Sequence, residues 1–232
     1  MRARRRLVET RESERAVEAL ARAIMGRLQG EAEERLAKRL GWRSNQEWLP
    51  EGYLWYLGGP VKVSDFGGFS VSWEDQAPGS NLRGGFSPED KAVVLFPDRR
   101  KVKAVMEALK GGDWDRAKME LARLMRDRLE PLIHEMTHVR DYFESEGKAF
   151  VGYSRDIEAG GRDRDFYLKL NPEVNARYSA AVVALRGLKS GLTARKWIKM
   201  VVARIDGFKQ LPEAVRQRII KRLTMEFEEE TL

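Results

Sequence analysis

Both histidines of this 232-residue chain fall in one short stretch, Leu132-Ile133-His134-Glu135-Met136-Thr137-His138-Val139-Arg140-Asp141. The stretch lies in a strongly helical segment, and a helix stacks residues four apart on one face. His134 and His138 therefore present their imidazoles one above the other, which is half of a tetrahedral zinc site. Glu135 stands about 100° round the helix from His134. A carboxylate there lies beside a bound metal rather than on it, where it can take a proton from water held by the metal. Leu132, Met136, Val139 and Phe143 recur at i, i+4, i+7 and i+11, so the same helix has a buried face close to the histidines. Two partly buried imidazoles are costly without partners, and a metal satisfies them.

Such a site needs a third protein ligand and an open position. The chain has no cysteine, which removes disulfides and thiolate ligands. With no third histidine, the remaining ligand has to be a carboxylate. Glu173 is the first choice. It sits in the first turn of a helix that Asn171-Pro172 opens, an N-cap followed by proline. Ala176, Ala180 and Ala184 on that helix let it pack closely on the motif helix. Asp156, Glu158, Asp163 and Asp165 are the alternatives. Glu173 can equally serve the positive helix end or pair with Arg177 four residues on. Asp141 is placed either to orient His138 or to be a solvated surface acid.

The rest of the chain predicts an α+β fold, mostly helical, with a small antiparallel-rich sheet packed on the motif helix. Residues 7–40 read as one or two helices, with Val17, Leu20, Ile24 and Leu28 at helical spacing and Gly26 and Gly30 weakening the pattern. The arginine-rich start, residues 2–6, is expected to be disordered and solvated. The aromatic stretch with Trp42, Trp48, Tyr53, Trp55 and Tyr56 reads as core. Strands are expected at 61–65, 69–73 and 91–96, with Gly67-Gly68 and Gly84-Gly85 as turns. Asp113 is the expected N-cap of the next helix, which Pro131 either kinks or restarts, and Gly147 is its stop. Residues 147–165 form a candidate flap. Two further helices are expected at about 193–205 and 212–229. This gives an N-terminal helical extension (1–40), a central domain (41–190) and C-terminal helices packed on it (191–232).

Charge and hydropathy bound the partners. The net charge is +7, which invites nucleic acid, but acids are interspersed with the bases, as in Glu9-Thr-Arg-Glu-Ser-Glu-Arg15, the texture of a solvated surface. The longest apolar run near membrane length is only Ala180 to Leu185, far short of a span. No apolar segment follows the basic start, so export by a signal peptide is not expected. The expected place is the cytoplasm of a bacterial or phage-infected cell.

The segment Leu132–Phe143 resembles the active helix of zincin metallopeptidases. The later Asn-Pro-Glu-Val-Asn-Ala-Arg-Tyr, residues 171–178, is similar to the glutamate-bearing second helix of the gluzincin group, and of small metallopeptidase-like proteins of bacteria and their phages. The likeness covers roughly residues 85 to 190. It implies zinc held by His134, His138 and Glu173, with Glu135 as general base in peptide-bond hydrolysis. Families that close the site with a third histidine do not fit. An oxyanion stabiliser is also expected, with Tyr153, Tyr167 and Arg177 as candidates. The partner would be a peptide or protein substrate. The alternative is a basic, nucleic-acid-associated regulatory protein, or a phage structural protein, with a non-catalytic metal site.

Overall fold

A computed structural model describes residues 2–38, 54–75, 82–148 and 171–230. They fall into two compact units, Met1–Met136 and Thr137–Leu232. The division lies inside one continuous helix, Trp114–Glu144.

The first unit is built on a long helix and a small sheet. Helix α1 runs from Arg2 to Ala37, so the basic start is helical and Gly26 and Gly30 do not divide it. Val17, Ala21, Ile24, Leu28, Ala32 and Leu36 are all buried, a stripe repeating every three to four residues. The opposite face is charged and tied by i,i+4 pairs, Glu18–Arg22 at 2.9 Å and Glu34–Lys38 at 2.8 Å. The buried stripe meets a short 3₁₀ turn, Leu54–Leu57, and the strand beyond it. At that crossing Gly58 has φ +83°, and a Cβ there would lie 2.9 Å from the Glu31 Cβ. Only glycine combines that backbone with that approach. Glu31 Oε2 also accepts from Gly59 N at 2.9 Å.

The sheet has four strands among the described residues, β1 (Val61–Val63), β2 (Phe69–Trp73), β3 (Gly84–Ser87) and β4 (Ala92–Leu95). Their order is β1-β2-β4-β3. β1 is antiparallel to β2 through Val61↔Val71, and β3 is antiparallel to β4 through Gly84↔Leu95. β2 and β4 are parallel, with Val71 opposite Val93. The sheet is therefore mixed, and it holds a strand that the sequence pattern predicts as a turn, Gly84-Gly85. That extra strand causes the parallel pairing. The chain passes to the far edge, forms β3, and hairpins back into the gap beside β2. Val61, Val71, Val93 and Leu95 fill the buried face, and Trp73 Nε1 donates to Leu57 O at 2.9 Å. Trp55 is not core: it is 55% exposed, with the Arg35 guanidinium 5.0 Å from its ring centroid. Trp42, Trp48 and Tyr53 lie outside the described residues.

Helix α2, Arg99–Lys110, is an addition to the expected elements. The Asp98 carboxylate caps it by accepting from Arg100 N at 2.9 Å, and Val102, Val105, Met106 and Leu109 bury its inner face. Helix α3 runs unbroken from Trp114 to Glu144. Asp113 Oδ1 accepts from Arg116 N at 2.9 Å, the expected cap. Pro131 sits inside α3, where it lacks the N–H that would bond the Asp127 carbonyl four residues earlier. Arg83 Nη2 donates to that carbonyl instead, at 2.7 Å. The bond lost to proline is thus replaced by one that ties the approach to β3 onto α3. The helix ends in a turn where Glu146 and Gly147 take positive φ and Gly147 N donates to Tyr142 O at 2.7 Å.

Among its described residues the second unit contains the end of α3 and three α-helices, α4 (Asn171–Arg186), α5 (Ala194–Val202) and α6 (Glu213–Glu230). Thr193 caps α5 by accepting from Lys196 N. The three helices share one core, with Val174, Tyr178, Ala181, Leu185, Trp197, Val201, Ile219 and Leu223 all buried. No helix among the described residues is long and apolar enough to cross a membrane.

Candidate metal centre

From Pro131 to Arg140 every residue of α3 is buried except His134, which is half-buried. The motif helix is thus enclosed all round rather than on one stripe, and its single opening to solvent is at a histidine. His138 is 4% exposed. Because the helix is continuous through this stretch, the two imidazoles stand one turn apart on one face.

Glu173 lies in the first turn of α4 and is fully buried. A first-turn acid that only complements the helix dipole normally remains in water, so burial marks Glu173 for a further role. Its two oxygens have different partners. Oε1 forms an ion pair with Arg177 Nη2 at 2.6 Å, and Oε2 lies 3.4 Å from His138 Nε2. Glu173 thus pairs with Arg177, as one reading of the sequence expected, and also faces His138. One ligand atom from each of His134, His138 and Glu173 lies within 4.8 Å of the others, a group that can hold a metal ion.

The donor set fits zinc. Two imidazoles and one carboxylate, with a fourth position left over, is a known composition for catalytic zinc. Ligands about 2.0–2.1 Å from a tetrahedral zinc are about 3.3 Å from each other. The His138–Glu173 separation of 3.4 Å already matches that edge.

Arg177 holds the Glu173 carboxylate. Its Nη1 reaches Asp206 Oδ2 at 3.3 Å while Nη2 holds Glu173, so the guanidinium is fixed between two carboxylates. Arg177, considered from the sequence for an oxyanion role, is thus placed against Glu173 and Asp206. Asp141 likewise differs from expectation: Arg140 Nε and Nη2 both donate to its Oδ1, at 2.9 and 2.6 Å, and it does not orient His138. Tyr153, Tyr167, Asp156, Glu158, Asp163, Asp165 and the candidate flap lie outside the described residues.

Replacing Arg177 with Met removes the group that orients a buried carboxylate, and groups that orient metal ligands typically contribute 10- to 100-fold in affinity. Zinc binding of Arg177→Met, measured by competition with a chromophoric chelator, is expected to weaken by about that factor. Unchanged affinity would show that Glu173 needs no such support.

Glu135 is 8% exposed and lies against the sheet. A Cβ added at Gly84 of β3 would stand 3.1 Å from the Glu135 Cγ, 3.4 Å from its Oε1 and 3.2 Å from the Val94 carbonyl. Gly84 is thus a glycine because Glu135 occupies the space beside it. The close approach puts Glu135 next to an edge strand, whose only strand neighbour among the described residues is β4. Sequence reasoning did not find this contact, since a Gly-Gly pair between strands looks like a turn.

No protein-family model matches the chain. Comparison with curated proteins and with solved structures finds no match either. The functional reading therefore rests on the residues themselves.

Proposed function

We propose that this chain is a zinc-dependent hydrolase of peptide bonds, with His134, His138 and Glu173 as metal ligands and Glu135 as general base. The observation that carries the reading is the gathering of one ligand atom from each of His134, His138 and Glu173 within 4.8 Å of the others, with Glu135 beside the first histidine on the same helix.

When bound, zinc supplies a water acidified to near neutrality and a Lewis acid for the carbonyl. The protein supplies the rest. Glu135 accepts the proton at its carboxylate and returns it to the leaving amine. Its position is set on one side by the helix and on the other by Gly84. The side of β3 that has no strand neighbour among the described residues offers backbone groups with which an extended peptide can pair as a further strand, directly beside that carboxylate. Arg177 holds Glu173 in place throughout.

Gly84→Ala tests this placement. The new methyl has to displace Glu135, and small misplacements of catalytic groups cost up to about 100-fold. Peptide hydrolysis is expected to fall by about 10- to 100-fold while zinc content stays at the wild-type level. Wild-type turnover in this variant would remove Glu135 from the reaction.

The nucleic-acid alternative has less support. Many surface bases of the described residues are paired with acids, as in Arg22–Glu18, Lys38–Glu34 and Arg99–Asp75, which leaves less charge for phosphates. The proposal is tested by incubating zinc-loaded protein with a peptide library, with chelator-treated protein as control. Cleavage that chelation abolishes and zinc restores is expected. Absence of any cleavage by the zinc-loaded chain would overturn it.

A further inference from the structure

Arg128 stands seven residues before Glu135 on α3, two turns away on nearly the same face and about 10 Å along the axis. It is only 8% exposed. Among the described residues its Nε has no acceptor, and no carboxylate closes an ion pair with it. A buried guanidinium left in that state is costly to the fold, and such costs are kept where a ligand supplies the missing partner.

Its surroundings are cationic. Arg83 is exposed and is anchored by its bond to the carbonyl of Asp127, the residue before Arg128. Lys101 pairs with the Asp127 carboxylate. Asp98 offsets part of the field at Arg128, but its side chain also caps α2. Among the described residues three cations thus face two carboxylates, leaving one positive charge without a counterpart there. Burial, and then the charge of Arg83, hold the Arg128 guanidinium below its usual range.

We propose that Arg128 and Arg83 form a subsite for a carboxylate of the peptide substrate, two to three residues from the bond that Glu135 serves. A single excess charge suits a monoanion, and a guanidinium fork matches carboxylate geometry. The spacing follows from the fold. Two helical turns separate Arg128 from Glu135, and an extended peptide covers about 10 Å in three residues. Arg83 immediately precedes Gly84, so the same strand edge runs from the subsite to the general base. The carboxylate belongs to an acidic side chain or to the peptide terminus. The inference rests on the peptidase reading only for the identity of the chain that carries it.

The test uses full-length, zinc-supplied protein carrying Glu135→Gln, so that peptides bind without being consumed. Fluorescence anisotropy compares short labelled peptide pools matched except for Glu or Gln, and except for a free or amidated C-terminus. One acidic form is expected to bind about tenfold or more tightly than its neutral twin. Arg128→Met and Arg83→Gln are each expected to abolish that difference while neutral peptides bind as before. Arg83 is exposed, so its variant decides the matter even if Arg128→Met fails to fold. No binding, equal binding of acidic and neutral pools, or a preference that survives Arg83→Gln would overturn the subsite. A charge preference with no cleavage by the wild-type protein would retain the subsite and remove the peptidase reading.

Discussion

Glu135→Gln is expected to lower peptide hydrolysis by about 10²- to 10⁴-fold while leaving zinc binding intact. The substitution keeps the side chain's size, so the contact with Gly84, where a Cβ would meet the Glu135 Cγ at 3.1 Å, is preserved. It removes only the ability to accept a proton. Glu135 is not among the residues grouped as ligands, which is why metal should remain. The check is a paired measurement of turnover and zinc content on the same preparation. Loss of metal together with activity would make Glu135 a ligand or a support of one. Retained activity would show that the proton goes elsewhere.

The second large effect concerns the platform that carries Glu173. Trp197 is fully buried in the core shared by α4, α5 and α6. Its Nε1 donates to Leu185 O at 3.4 Å, its ring lies 5.9 Å from that of Phe227, and Lys189 Nζ sits 4.3 Å from its centroid. Trp197→Ala opens a cavity at the centre of this unit and is expected to cost about 3–5 kcal/mol in urea unfolding. The nearly buried Lys189 also loses the aromatic face beneath it, though its bond to Glu226 O at 3.0 Å remains. Because Val174 and Tyr178 of α4 belong to the same core, the damage reaches the helix turn that holds Glu173. On the proposed metal centre only the folded site would bind zinc, so saturating zinc should recover part of the loss. A cost below about 1 kcal/mol would mean that this tryptophan is not a keystone of the unit.

Much of this arrangement was legible where the signal is local. The histidine spacing, the Asp113 cap and the two final helices follow from periodicity and capping over a few residues. What escaped depends on distant contacts. Pro131 reads as a break because its missing N–H is a local fact, whereas the Arg83 bond that replaces it crosses 44 positions of sequence. Gly84 reads as a turn because its small size answers to Glu135, a residue far along the chain, and not to its own backbone. The parallel pairing of β2 and β4 was hidden for the same reason, since it follows from the missed strand. Arg177 and Asp141 were both identified as candidates, but their roles depend on which neighbour reaches them first. Arg140 takes Asp141, and Glu173 with Asp206 takes Arg177.

The central claim is that His134, His138 and Glu173 hold one zinc ion, and the measurement that tests it most directly is metal stoichiometry. Purified full-length protein, supplied with zinc and freed of loosely bound metal, is compared with His138→Ala and Glu173→Gln by elemental analysis. The account predicts about one zinc per wild-type chain, none retained by His138→Ala, and a sharply weakened load in Glu173→Gln. No zinc in the wild-type protein, or an equal load in all three, would contradict it.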